Sequence, residues 1–339
     1  MKRSITEQEV PGGYLWIGDP HVASRTPGRR SDDFPVTVIN KLRAAMEEAN
    51  DRNLRPVVLG DLFHSPKESS IAIINEVAQA LALADYQPLV VAGNHDKEER
   101  ELRPGNALSL LWNLGSFTLL APDTPFDETL VDGTRTRLWG YPHGAAIPDS
   151  VERGEADFVF GVTHHDLAFG SNPYPGADPL KPVAGADWMI NGHIHLCHEL
   201  AFFEGTTWFN PGNITRLTLD VAEHIPRVWV WTPNQGVEET YGVTLEHEKD
   251  PFDRTGTRIE AADEALINPA ELPSDPATTR QPSAFAERLM NTGQFDRQAS
   301  DEAAFVREDL EAVLFEQEVT EPVARHVRAV VDEALEPAD

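Results

Sequence analysis

Short runs of consecutive apolar residues alternate with amphipathic stretches through the first half of the chain. The run at 12–19 predicts a first strand, followed at 56–60 and 88–92 by two more of the same kind. Each is too short for a helix and too apolar for a half-exposed strand, so each is expected inside a sheet covered on both faces. Between them, Val38, Ile39, Leu42, Ala45, Met46 and Ala49 recur at helical spacing through about residue 50, with Ser31 or Asp32 placed to cap that helix. Residues 69–84 carry Ile71, Ile74, Val77, Ala78 and Leu81 on one face of a second helix, and 106–114 predict a short third. Further strands are expected at 118–120, 136–140, 157–162, 188–191, 206–209, 227–231 and 241–246, with a Pro/Gly-rich loop over 171–186. Early strands alternating with helices and late strands in a run suggest two sheets flanked by helices, not one parallel sheet.

Five apolar runs end in a carboxylate, an amide or an imidazole. Residues 15–18 lead to Asp19-Pro20-His21, and 56–59 lead to Gly60-Asp61-Leu62-Phe63-His64. The run to Ala92 ends in Gly93-Asn94-His95-Asp96, 158–163 end in His164-His165, and 188–191 end in Gly192-His193-Ile194-His195. Oxygen and nitrogen donors at five strand ends are what a two-metal site needs. A pair of cations about 3.5–4 Å apart can activate water and clamp both oxygens of an in-line phosphoryl displacement. Mixed Asp, Asn and His donors suit manganese, with iron or zinc also acceptable, whereas magnesium and calcium take oxygen almost alone. His198 is expected as a surface histidine, His143 in Gly-Tyr-Pro-His-Gly as a loop histidine with lining of the cleft as the alternative, and most tryptophans as core.

Composition narrows the setting. At 40% hydrophobic residues a core is expected, and no apolar run approaches the roughly 18 residues of a membrane span. Cys197 is the only cysteine, which excludes an intramolecular disulfide and a thiolate-rich zinc site. With no apolar segment after Met1-Lys2-Arg3-Ser4, a cytoplasmic protein is expected. The net charge is −28, from 28 basic and 56 acidic residues, which repels polyanions at long range. It fits either a surface adapted to high salt or an acidic face for a basic partner. The densest basic cluster is Arg25, Arg29 and Arg30, read either as a solvated turn or as a contact to a phosphate backbone. Residues 248–282 read as a linker and 283–339 as an acidic helical tail, leaving 1–247 as the catalytic domain.

The motifs, in this order from 19 to 195, resemble the calcineurin-like metallophosphoesterase superfamily. The resemblance implies an α/β fold, a four-layer α/β/β/α sandwich, here with a C-terminal helical extension. It implies that Asp19, His21, Asp61 and His195 hold one metal, that Asp61, Asn94, His164 and His193 hold the other, and that Asp61 bridges. His95 would be the acid or charge stabiliser beside the metals, and Asp96 would orient the turn. Gly60-Asp61-Leu62-Phe63-His64 is more narrowly similar to SbcD-type DNA repair nucleases, where the added histidine implies a role for His64 near the scissile phosphate. Residues 26–34 are similar to phage-borne members of that branch, and 210–216 to the turn and arginine that follow its last metal motif. By that resemblance the substrate is DNA, with Arg25, Arg29, Arg30, His165 and Arg216 as candidate substrate contacts. The tail falls where that branch docks an SMC-like ATPase, and homodimerisation stays open. The expected activity is a two-metal DNA phosphodiesterase, exonuclease or endonuclease. Two alternatives are a metallophosphatase or phosphodiesterase acting on nucleotides or phosphoproteins, and a metal-containing interaction subunit with little catalysis of its own.

Overall fold

The computed structural model describes residues 10–98, 101–170, 176–234 and 241–254. Strands β1 (Tyr14–Ile17), β2 (Arg55–Val58), β3 (Leu89–Val90) and β4 (Thr118–Leu119) alternate with helices α1 (Phe34–Asp51), α2 (Ile71–Leu81) and α3 (Ala107–Asn113). Then come β5 (Phe126–Thr129), β6 (Arg135–Tyr141), β7 (Phe158–Thr163), β8 (Trp188–Asn191), β9 (Ala201–Phe203), β10 (Thr206–Phe209), β11 (Arg227–Trp231) and β12 (Tyr241–Thr244). One sheet has the order β12-β11-β1-β2-β3-β4, the other β5-β6-β7-β8-β10-β9. Both are mixed. β1 pairs parallel with β2 and antiparallel with β11, and β8 pairs parallel with both β7 and β10.

The period-two geometry of a strand explains how these runs serve two cores at once. Leu15 and Ile17 face the helices, while Tyr14 and Trp16 face the second sheet. Val58 and Val90 repeat the first pattern, Val57, Leu59, Leu89 and Val91 the second. Phe160, Ile190 and Phe209 close the inter-sheet core from the other side. The outer face of the second sheet is covered, among the described residues, by irregular chain. Ile147, Val151, Leu167, Phe169, Leu180 and Val183 pack there on Met189 and Trp208.

Asp33, not Ser31 or Asp32, caps α1: its side chain accepts from Val36 N. Asp32 is instead bonded to Arg30 and Thr37. β5 and β9 are found where no strand was expected. Phe-Asp-Glu-Thr is too polar, and Ala-Phe-Phe too short, for a pattern to register. The first compact unit runs to Arg254. Residues 248–254, expected in the linker, fold back on the loop before α1: Ser31 N donates to Pro251 O and Asp253 N to Arg29 O. The tail expected to be helical at 283–339 lies outside the described residues, as does the rest of the expected linker. No helix among the described residues is long and apolar enough to cross a membrane.

Candidate metal centre

The loops after β1, β2, β3, β7 and β8 converge. Three of the residues they carry stand in left-handed backbone: His21 (φ 49°), Asp61 (φ 44°) and His193 (φ 71°). Non-glycine residues rarely take that conformation, and holding them there costs of order 1–3 kcal/mol each. The surrounding bonds impose it. His21 N donates to Asp61 O at 2.8 Å, and His193 N donates to Asp19 Oδ2 at 2.8 Å. Each turn also needs its glycine. A Cβ at Gly60 would lie 2.8 Å from Cγ and Cε1 of the His164 ring, and one at Gly192 2.8 Å from Asp19 Oδ1.

Asp61 is the centre of the cluster. Its Oδ2 faces His21 Nε2 at 3.6 Å and His164 Nε2 at 3.2 Å, and its Oδ1 accepts from His95 N at 2.8 Å. On one side His21 Nε2 faces His195 Nε2 at 3.1 Å, with Asp19 beside them. On the other, Asn94 Oδ1 lies 3.1 Å from His164 Nε2 and 3.0 Å from His193 Nδ1. Asp19, His21 and His195 form one group, and Asp61, His164 and His193 another, each with ligand atoms within 4.8 Å of one another. Both groups fit a divalent cation. Asp19 Oδ1 is buried without a hydrogen-bond partner among the described residues. Two imidazole nitrogens point at each other, as groups arranged around a shared cation do. Burial, with neighbouring histidines, pushes His195 down to about 3 and His21 well below the ordinary histidine range, so both rings are neutral donors. Burial would also lower His164, but the carboxylates of Asp61 and Asp19 outweigh it and raise it to about 10. In the free protein that proton sits against Asp61, where a cation would replace it.

His64 and His95 adjoin this cluster. Their rings stack at 5.4 Å and each stands edge-on to His21, at 5.5 and 5.0 Å. His95 Nδ1 bonds to His64 O at 2.9 Å, and His64 Nδ1 lies 3.4 Å from His21 Nδ1. Burial lowers His64 to about 4. Asp96 holds the turn, as expected: it accepts from Phe63 N and Gly93 N, both at 3.0 Å.

The candidate substrate contacts divide. Arg25 and Arg29 are exposed. Arg30 and Arg216 are buried and committed elsewhere, which corrects their assignment to substrate. Arg30 pairs with Asp32 and donates to Arg216 O, while Arg216 donates to the carbonyls of Ala222, Glu248 and Lys249. Residues 248–254 close over both, which no local pattern announces. His165 bonds through Nε2 to Ala145 O at 2.7 Å, so it holds a neighbouring loop. One residue escaped the sequence reading. Asp166 lies 2.9 Å from His193 Nε2 and so orients that ring, a function its place one residue after His164-His165 could have signalled. His143, read as a loop histidine with lining of the cleft as the alternative, stands 5.7 Å, ring to ring, from His193.

The model of the calcineurin-like phosphoesterase family matches residues 14–197, more than half of the 339. Among curated proteins none matches this sequence. Among solved structures the chain is similar to a 5′-nucleotidase precursor from Thermus thermophilus, at 13% identity and a TM-score of 0.41, covering 75% of this chain and 57% of that one. It is similar to the NAD nucleotidase NadN of Haemophilus influenzae, at 12% identity and a TM-score of 0.41, covering 75% and 55%. It is also similar to the nuclease MPE of Pseudomonas putida, at 13% identity and a TM-score of 0.29, covering 68% and 87%. The chain thus spans a little over half the length of the two nucleotidases. The stretch matched by the family model contains the five converging loops and every residue of the two donor groups, and the chain belongs to the calcineurin-like phosphoesterase family.

Proposed function

We propose that the protein is a two-metal phosphodiesterase that cleaves DNA. The observation that carries this reading is the stacked pair His64 and His95 set edge-on to His21, beside the two donor groups. A phosphodiester needs a proton for its departing sugar oxygen, and two rings at the edge of the cluster can place the strand and supply that proton. Asp19, His21, Asp61 and His195 would hold one cation and Asp61, Asn94, His164 and His193 the other, with manganese the best match to the donor set. Bound there, the cations supply activation of water and neutralisation of phosphate charge. The chain's own part is orientation and proton handling. Water attacks phosphorus in line and gives up a proton to solvent, the bond to the sugar oxygen breaks, and His95, as an imidazolium, gives that oxygen a proton from Nε2 and is reprotonated from solvent. The bond from Nδ1 to His64 O fixes the ring for this. The exposed Arg25 and Arg29 would meet the strand. The segment 283–339 would dock an SMC-like ATPase.

A smaller substrate is the second reading, a nucleotide or a phosphoprotein. Burial of Arg30 and Arg216 favours it, because a chain of net charge −28 loses two cations from the expected DNA contact. The test is cleavage of end-labelled duplex and single-stranded DNA with manganese, magnesium or chelator, at low and molar salt, for wild type, Asp61→Asn and His95→Ala. Manganese-dependent cleavage lost in both variants, with manganese still bound by His95→Ala, is expected. An active His95→Ala would overturn the role of that ring. Cleavage of a small aryl phosphodiester, with none of DNA, would favour the second reading.

A further inference from the structure

The turn that follows β6 is held in place more firmly than a connecting loop requires. His143 N donates to Ala92 O at 3.2 Å, and Lys97 Nζ donates to His143 O at 2.5 Å. Ala92 and Lys97 flank Gly93-Asn94-His95-Asp96, so the segment that carries Asn94 and His95 grips the His143 backbone from both sides. Ala145 N bonds to Pro142 O, and His165 Nε2 to Ala145 O. Two costly groups maintain this arrangement. Lys97 is a buried cation whose ammonium donates to a main-chain carbonyl. His165 keeps its Nδ1 buried with no partner among the described residues. Unsatisfied buried polar atoms and desolvated cations are retained at a cost, so what they hold in place calls for a function.

They hold an imidazole. The half-buried His143 ring stands 5.7 Å from the ring of His193 and 6.4 Å from that of His165, and neither of its nitrogens hydrogen-bonds to a described residue. It belongs to neither donor group. It lies on the His193 side of the cluster, whereas His64 and His95 adjoin His21.

We propose that His143 is a substrate-binding residue that donates a hydrogen bond to a non-bridging phosphate oxygen, and that Lys97 and His165 are the positioning residues that set its loop. The ligand class is a phosphoryl group, in a diester substrate or as free orthophosphate. This assignment rests on the phosphoesterase reading of the site but not on DNA as substrate.

The test uses the manganese-loaded full chain as wild type, His143→Ala and His143→Gln. Three quantities are measured: KM and kcat on a small aryl phosphodiester, orthophosphate affinity by calorimetry, and manganese affinity. A lost hydrogen bond to a charged group predicts KM and the orthophosphate Kd each raised about tenfold or more in His143→Ala. Partial recovery in His143→Gln is expected, since its amide restores a donor, together with manganese affinity unchanged in both variants. Unchanged KM and orthophosphate affinity would overturn the proposal. So would a parallel loss of manganese affinity, which would make His143 a support of the metal centre. If wild type cleaves no phosphodiester, the proposed function fails on that result, and the orthophosphate titration still decides on His143.

Discussion

Replacing Gly60 with alanine tests the geometry of the metal centre through one methyl group. Gly60 has φ +109°, and the added Cβ would stand 2.8 Å from two carbons of the His164 ring and closer still to Nδ1. Ordinary contact begins near 3.4 Å, so one partner must move by at least about 0.6 Å. The ring has little freedom: it is fully buried, with Nδ1 bonded to Leu59 O at 2.8 Å and Nε2 facing Asp61 and Asn94. The backbone strain alone is about 1–3 kcal/mol. Displacing His164 adds loss of a metal donor, expected to exceed the 10–100-fold that removing a merely supporting partner costs. Gly133 provides the control, with φ +90° and nothing within 4 Å of its added Cβ, so Gly133→Ala carries the strain without the collision. Calorimetric titration with manganese should give Gly60→Ala an affinity down by about 100-fold or more, equivalent to about 2.7 kcal/mol. Gly133→Ala should bind as wild type does. Thermal melts should show a larger loss of stability for Gly60→Ala than for Gly133→Ala. Equal manganese affinity in Gly60→Ala and wild type would refute the placement of His164 against this turn.

Three further outcomes are expected. Asp166→Ala should weaken manganese binding about 10–100-fold, because it removes the acceptor that fixes His193, and electron paramagnetic resonance of free manganese would measure this. Manganese binding at pH 7 should release about one proton, since the proton on His164, raised to about 10, must leave before the ring can ligate. The binding enthalpy should therefore depend on the ionisation enthalpy of the buffer, affinity should rise with pH, and a buffer-independent enthalpy would contradict the argument. Lys41, buried on α1 near Arg30 and Arg216, is pushed down to about 7, chiefly by burial. The folded protein then binds fewer protons than the unfolded chain between about pH 7 and 10.5, so this group makes stability rise with pH across that window. Lys41→Met should stabilise the protein at pH 6–7 by about 1–4 kcal/mol and flatten that rise, as read by denaturant titration at several pH values.

The amino-acid sequence alone determined which strand ends carry chemistry. A metal donor at the end of a buried run is a local event: the run must stop, a glycine must let the turn approach its neighbour, and a ligand must follow at once. Gly60-Asp61, Gly93-Asn94 and Gly192-His193 each write that event within two residues. The helix faces were legible for the same reason. Val38, Leu42, Ala45 and Ala49 repeat at the helical period and all lie in the core against the first sheet. Only the tertiary structure decided which charged and polar groups face the site. Arg30 and Arg216 read as candidate substrate contacts, but residues 248–254, far along the chain, cover them. His143 reads as a loop residue that could line the cleft, and a main-chain bond to Ala92 together with the Lys97 ammonium, both in the segment after β3, hold it beside His193. Periodicity reports on neighbours a few positions away, whereas burial of a cation or the facing of two imidazoles depends on sheet order and on which distant segment closes over them.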